Sequence, residues 1–345
     1  MNVQLFNTLV IMLIYISDRF HIRLIYYSMF KRRNYMEDIN ILVTIDKNYI
    51  DPLLVMMNSY ARFHESYHTN LFIIHRTLET KHINYISEKL ANFNISVKAI
   101  KVENSYFKGI PLLERIPMES FDRIIAFKYL PNDVDKCLYL DPDILINKSI
   151  MSLYDMDISE SYIAAATHIN FFVNFLNRLR LLLKDQKTYI NSGVVLMNLK
   201  KMREDFTIED IQKTLKKFVR VLFLGDQDMM NILYGPKCII LDDAIYNLDE
   251  KAMQHHHMSL DAVKEKTIFI HYNGKFKPWL KGYHGKLDVL YPEVTNKGPA
   301  PRGMMAKQII SSLKILWPSF RYFFVDLCII LFILLLILLL IKICF

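Results

Sequence analysis

Glycine is scarce in this chain, 9 in 345 residues, and so are cysteine, with 4, and tryptophan, with 2. So little glycine excludes a collagen-like chain and leaves no glycine-rich loop to wrap a nucleotide's phosphates after the first strand-like run. The cysteines, Cys137, Cys238, Cys328 and Cys344, show no CxxC spacing. That excludes a disulfide-stapled scaffold and points to a reducing compartment. Long blocks of like charge are missing too. The excess of 43 Lys and Arg over 35 Asp and Glu, net +8, is spread along the sequence, against a nucleic-acid partner.

Apolar side chains are abundant instead: 52% of residues are hydrophobic and the mean hydropathy is +0.15. This excludes intrinsic disorder and supplies one large core or two ordinary ones. Much of the excess sits at the ends. Tyr322 to Ile341 carries one charged side chain, Asp326, and Leu327 to Ile341 is unbroken apolar sequence. A helix of about 20 such residues spans a bilayer core, so 322–342 reads as a transmembrane or membrane-anchoring helix. Lys307, Lys314 and Arg321 precede it, and the positive-inside bias then puts the preceding chain at the cytoplasmic face of the cell membrane.

Within 296–321, Gly298, Pro299, Pro301 and Gly303 read as a linker. Ile309, Ile310, Leu313, Leu316 and Phe320 form an amphipathic repeat among the bases. At the other end, Leu9 to Ile16 is too short to span and lacks a cleavage site. Residues 1–35 therefore read as an extension, with Met36 an alternative start directly before the first strand-like run.

The body, 36–295, alternates. Strand-like runs at Ile39 to Ile45, Asn70 to His75, Ser96 to Val102, Lys136 to Leu140, Tyr162 to Ala166 and Gly193 to Leu199 are separated by helical spacing. The helical segments are Pro52 to Phe63, Lys81 to Phe93, Phe121 to Leu130 and Ile208 to Val219. This pattern predicts an α/β domain whose mainly parallel central sheet is flanked by helices, with chemistry at the carboxyl ends of the strands.

Four blocks carry polar chemistry there. In KCLYLDPDILI (136–146) a strand delivers Asp141 and Asp143, two residues apart and so facing one way, as hard ligands suit Mg²⁺ or Mn²⁺. In HYNGKFKPW (271–279), directly after the strand-like Thr267 to Ile270, His271 offers an imidazole to a metal, Gly274 lets the backbone approach a ligand, and Lys275 and Lys277 are hydrogen-bond donors to a phosphate. In YINSGVVLMNL (189–199), Asn191 and Ser192 could read sugar hydroxyls. In GDQDMMN (225–231), Asp226, Gln227 and Asp228 precede a helical stretch, where turn and capping roles would explain them equally well. The three histidines His255 to His257 are adjacent and cannot all face one ion; they read as a polar loop.

The order and chemistry of these blocks resemble glycosyltransferase family 8, whose members have a GT-A-type nucleotide-diphospho-sugar transferase fold and are retaining, metal-dependent and UDP-sugar-using. The resemblance runs from about Asp38 to Pro292. It implies that Asp46, Asn48 and Tyr49 in the turn after the first strand, with Arg123, Gly274 and Lys277, bind the nucleotide. It implies Asp141, Asp143 and His271 as ligands of Mn²⁺ or Mg²⁺, and Asn191, Ser192, Asp226 and Gln227 as donor-sugar contacts, with Gln227 and Asp226 at the reacting carbon. Ile125 replaces a basic residue found in some relatives, and a proline occupies the non-ligating middle of Asp141–Asp143.

The resemblance, taken with the membrane segment, implies transfer of glucose or galactose from UDP-glucose or UDP-galactose to a saccharide or lipid-linked acceptor of bacterial lipopolysaccharide or surface glycan. Protein glycosylation and a non-catalytic, membrane-bound UDP-sugar-binding protein are the alternatives. The Gln227 amide is a poor nucleophile, which favours same-side substitution, with Asp226 and Asp228 the carboxylates for a covalent route. A nucleotidyltransferase would need a glycine in the first loop, and Ile45 to Tyr49 has none.

Overall fold

The computed structural model describes residues 38–103, 106–107, 118–167, 171–183, 188–274, 277–280, 283 and 285–291. The N-terminal extension, the linker, the basic segment, the expected tail helix and Lys275 lie outside the described residues. Among the described residues no helix is long and apolar enough to cross a membrane.

All six strand-like runs form strands: β1 (Ile39–Thr44), β2 (Thr69–His75), β3 (Ile95–Lys101), β4 (Lys136–Leu140), β6 (Ile163–Ala166) and β7 (Val194–Asn198). Three shorter strands join them, β5 (Ile144–Ile146), β8 (Cys238–Leu241) and β9 (Phe269–His271). The main sheet has the order β3-β2-β1-β4-β7-β6-β8, and β5 pairs with β9 in a second, two-stranded sheet. The main sheet is mainly parallel, but β7 runs antiparallel to both β4 and β6. Hydrophobic alternation has no arrow, so this reversal leaves no trace in the sequence.

Helices cover both faces: α1 (Ile50–His64), α2 (Thr80–Leu90), α3 (Phe171–Arg180), α4 (Leu199–Asp205), α5 (Ile208–Phe218) and α6 (Asp226–Leu233). The helix expected over Phe121 to Leu130 is instead a turn at Met118–Asp122, a 3₁₀ turn at Arg123–Ile125 and another turn at Ala126–Tyr129. The break turns Arg123 toward the sheet edge, where two carboxylates hold it.

The two-residue period of the strands builds a core on each face. Cys137 and Tyr139 of β4 pack with Leu42, Val195 and Met197. Leu138 and Leu140 face the other way, onto Ile41, Val43, Val194 and Leu196. Each fully buried aliphatic side chain contributes about 1.5–3 kcal/mol, so the sheet edge is a rigid platform. The β5–β9 pair sits on α1, whose Ser59 Oγ accepts from Ile146 N at 3.0 Å. His64 Nδ1 lies 2.8 Å from Tyr60 O, and its Nε2 accepts from Ile150 N at 3.1 Å. Buried, with a backbone N–H on Nε2, His64 is held neutral: burial lowers its pKa, and it works as a brace.

Candidate active site

The polar blocks meet at one edge because β1 and β4 end there and the antiparallel β7 begins there. The ladder Leu140↔Val194 continues one step, Asp141 N donating to Gly193 O at 2.8 Å. In the second sheet Ile144 is opposite His271, and Tyr272 N donates to Asp143 O at 3.0 Å, which brings the imidazole beside the Asp-Pro-Asp turn.

Ligand atoms of Asp141, Asp143 and His271 lie within 4.8 Å of one another. His271 Nε2 is 3.3 Å from Asp143 Oδ1 and 3.8 Å from Asp141 Oδ2. Asp141 Oδ1 is committed elsewhere, accepting from Tyr139 OH at 2.6 Å and Arg123 Nη1 at 2.8 Å, which leaves Oδ2 turned toward His271. Asp143 Oδ2 is in close contact with the Lys277 ammonium, while its buried Oδ1 has no hydrogen-bond partner. Burial alone would raise the Asp143 pKa, but His271 and Lys277 hold it well below the ordinary carboxylate range. A buried, ionised carboxylate with an unused oxygen, a second carboxylate and an imidazole make a hard, open donor set, so these residues fit a divalent cation.

Gly193 makes this closeness possible. A Cβ there would stand 2.3 Å from His271 Cε1 and 3.0 Å from Asp141 Oδ2. Gly274 has a different reason to be glycine, a φ of +100°.

Arg123 is buried with its guanidinium over the Tyr139 ring at 4.6 Å. Its Nη1 also donates to Ser192 O at 3.2 Å, and its Nε lies 2.9 Å from Asp226 Oδ2, an ion-pair contact without hydrogen-bond alignment. Burial works against the guanidinium charge, but Asp226, Tyr139 and Asp141 hold it firmly protonated. Asp226 is pushed up to about 6 by burial, which Arg123 only partly offsets.

Asn191 Nδ2 donates to Gln227 Oε1 at 3.1 Å, Ser192 N to the same oxygen at 3.3 Å, and Gln227 Nε2 to Tyr189 OH at 3.3 Å. Of the residues expected at the donor sugar, Asn191, Ser192 and Gln227 thus form one hydrogen-bonded group, and Arg123 links Ser192 O to Asp226 beside it. Asp228 differs from what a covalent route would need. It is 0% exposed and accepts from both Arg180 nitrogens, Tyr189 OH and the N–H groups of Phe223 and Leu224. It holds the floor of the site and offers no free oxygen to a substrate.

In the loop after β1, Asp46 accepts from Asn48 N at 2.8 Å and Asn48 Nδ2 at 3.0 Å, so these two residues order each other at the surface. Tyr49 reaches the cluster. Burial raises its hydroxyl pKa, with Lys277, Asp143 and Asp141 as charged neighbours, and its ring meets Trp279 edge-on at 6.3 Å. Four contributors carry no motif signal: Tyr139, Gly193 as a close-approach residue, Arg180, and Asn247, whose side chain lies 2.8 Å from both His271 Nδ1 and Asn191 Oδ1. Only strand parity could have flagged Tyr139, which shares a face with Asp141.

Residues 40–282 match the sequence model of a family described as Glycosyl transferase family 8. A lipopolysaccharide 1,2-glucosyltransferase of Escherichia coli is 24% identical over 253 residues, 70% of this chain and 74% of that protein. A lipopolysaccharide 1,3-galactosyltransferase of Salmonella typhimurium is 27% identical over 181 residues, 50% of this chain and 52% of that protein. Among solved structures, a galactosyltransferase crystallised with donor and acceptor sugar analogues superimposes with a TM-score of 0.64 at 23% identity, covering 78% of this chain and 100% of that one. That likeness establishes a GT-A-like α/β fold.

Proposed function

The chain belongs to glycosyltransferase family 8, and from that premise we propose that it moves glucose or galactose from a UDP-sugar, with retention, onto a saccharide acceptor of bacterial lipopolysaccharide or surface glycan. The strongest support is the convergence of Asp141, Asp143 and His271 with an orphaned carboxylate oxygen and the buried Lys277 beside it. Those three side chains would hold Mn²⁺ or Mg²⁺. Such a cation supplies electrostatic stabilisation of the departing diphosphate.

The protein's own groups do the rest. Lys277 is the ammonium next to that position and would pair with diphosphate oxygens, with Gly274 giving the close backbone turn. Asp46, Asn48 and Tyr49 would hold the nucleoside, and Arg123 orders Asp141 and Asp226 from behind. Asn191, Ser192, Asp226 and Gln227 would read the donor sugar. Double displacement needs a carboxylate with a free oxygen beneath the anomeric carbon. Asp226 is paired to Arg123 and Asp228 is enclosed, while Gln227 offers an amide. We therefore favour same-side substitution, in which a leaving-phosphate oxygen takes the proton of the acceptor hydroxyl as that hydroxyl attacks.

We read 36–295 as the catalytic body and 296–321 as joining it to a membrane-anchoring segment at 322–342 on the cytoplasmic face, a reading supported by the unbroken apolar run Leu327 to Ile341 and by Lys307, Lys314 and Arg321 before it. The function is tested by UDP release from UDP-glucose and UDP-galactose, with Mn²⁺ or EDTA, in the parent and Asp143→Ala. Turnover that requires Mn²⁺ and vanishes in Asp143→Ala is expected; undiminished activity in that variant would refute the metal assignment.

A further inference from the structure

Asn247 belongs to none of the four polar blocks, yet it is 0% exposed and sits between His271 and Asn191. The backbone puts it there: Leu248 N donates to Phe269 O at 3.0 Å and His271 N to Leu248 O at 2.8 Å, zipping this segment onto β9. Asn247 Oδ1 lies 2.8 Å from His271 Nδ1, and Asn247 Nδ2 donates to Asn191 Oδ1 at 2.8 Å.

Amide and imidazole orientations are ordinarily inferred from the network around them. Two backbone groups fix this one. Gly193 N–H can only donate, and it reaches Asn191 Oδ1 at 2.9 Å, while Ser192 N–H reaches Gln227 Oε1 at 3.3 Å. Asn191 therefore turns its oxygen to Gly193 and its NH₂ to Gln227. The Asn247 atom facing Asn191 Oδ1 must be its NH₂, so its carbonyl oxygen faces His271. An amide oxygen cannot donate, so His271 Nδ1 carries the hydrogen and Nε2 is the atom turned to Asp141 and Asp143.

We infer that Asn247 is a positioning residue: it locks His271 in the Nδ1–H form with Nε2 aimed at the two carboxylates, and it ties that imidazole to Asn191 and Gln227 through one hydrogen-bonded chain. The inference rests on the proposed role of His271 as a metal ligand. Outer partners of this kind orient a ligating histidine, and losing one costs about 10–100-fold in metal affinity.

Two substitutions separate the halves of the chain. Asn247→Ala removes both links, whereas Asn247→Asp keeps an acceptor for Nδ1–H but cannot donate to Asn191 when ionised. Mn²⁺ binding is read by electron paramagnetic resonance in the full chain with UDP, with melting curves alongside. Asn247→Ala should bind Mn²⁺ roughly 10–100-fold more weakly, and Asn247→Asp should stay within about threefold of the parent. UDP-sugar turnover should fall in both.

Parent-like Mn²⁺ affinity in Asn247→Ala would overturn the inference, as would an Asn247→Asp loss as deep as that of Asn247→Ala. Nitrogen-15 resonances of His271 in the parent with Mg²⁺ and UDP give a reading independent of any variant's folding: a hydrogen on Nδ1 is expected, and one on Nε2 would overturn the assignment. Asp143→Ala is the control for the premise. Loss of binding there with Asn247→Ala unaffected sinks the Asn247 role alone, while a parent that binds no Mn²⁺ sinks the metal reading as well.

Discussion

Gly193→Ala should weaken the proposed metal site while leaving the fold standing. Gly193 does not have a positive φ, so alanine fits its backbone and, by restricting the unfolded chain, would add about 0.4–1 kcal/mol of stability. The obstacle is space. The new methyl carbon would stand 2.3 Å from His271 Cε1 and 2.9 Å from Nδ1, where carbon contacts need about 3.5 Å. The imidazole must therefore retreat by about 1 Å, against a tolerance of about 0.2 Å in metal–ligand distances. It cannot retreat freely, because Asn247 holds Nδ1 at 2.8 Å and stretching that buried bond costs about 1–3 kcal/mol. Mn²⁺ affinity should fall by about 10–100-fold, or about 1.4–2.7 kcal/mol, with turnover falling in step. The melting temperature should drop by only a few degrees, since the alanine gain offsets part of the lost bond. The assay is a Mn²⁺ titration by calorimetry, with UDP release and thermal melts on the same preparation. A variant that binds Mn²⁺ within twofold of the parent would refute the close-packing argument.

Lys277→Gln should move two quantities in opposite directions: Mn²⁺ binding tightens because a competing cation leaves Asp143, while turnover drops by about 10²–10³ as the diphosphate loses a donor. If both fell together, Lys277 would be a structural prop only. Asp226 binds its proton more tightly folded than unfolded, about 6 against 3.8, so the native state holds more protons between those values. Stability of the metal-free chain should then decrease as pH rises from about 4 to about 6, by roughly 3 kcal/mol. Urea melts across that window should lose this slope in Asp226→Asn, and an unchanged slope would contradict the assignment. Asp228→Ala strands the buried Arg180 and should cost roughly 3–5 kcal/mol in urea unfolding; a loss of turnover with stability intact would return Asp228 to the chemistry.

The six expected strands were legible because each is a short, mostly apolar run set between segments of helical spacing, and Lys136–Leu140 is correct to the residue. The Asp141–Asp143–His271 cluster was legible because the two aspartates share a parity at one strand end and His271 follows another strand-like run. The three-residue strand β5 was too short for a period to show, and the direction of β7 is invisible to periodicity. Asn247 and Arg180 escaped for a different reason. Their importance lies in contacts across 24 residues for Asn247–His271 and 48 for Arg180–Asp228, and no local pattern encodes such pairings. As carboxylates for a covalent route Asp226 and Asp228 looked equivalent in the sequence, and burial and partners separate them into one carboxyl beside Arg123 and one sealed among Arg180, Tyr189 and backbone N–H groups.

The reversed strand β7 also has a genetic consequence. Because β7 begins at the site, Gly193 is held from its C-terminal side by five consecutive residue pairings with β4, Val194↔Leu140 through Asn198↔Lys136. A single-residue insertion or deletion inside Val194–Asn198 would swap the two faces of the strand and carry the glycine away from His271 in one event. On its N-terminal side Asn191 N donates to Ala166 O at 2.8 Å, so the approach to the glycine is tied to the end of β6 as well. Changes of length are therefore excluded from Asn191 through Asn198, and this edge of the site can vary only by substitution.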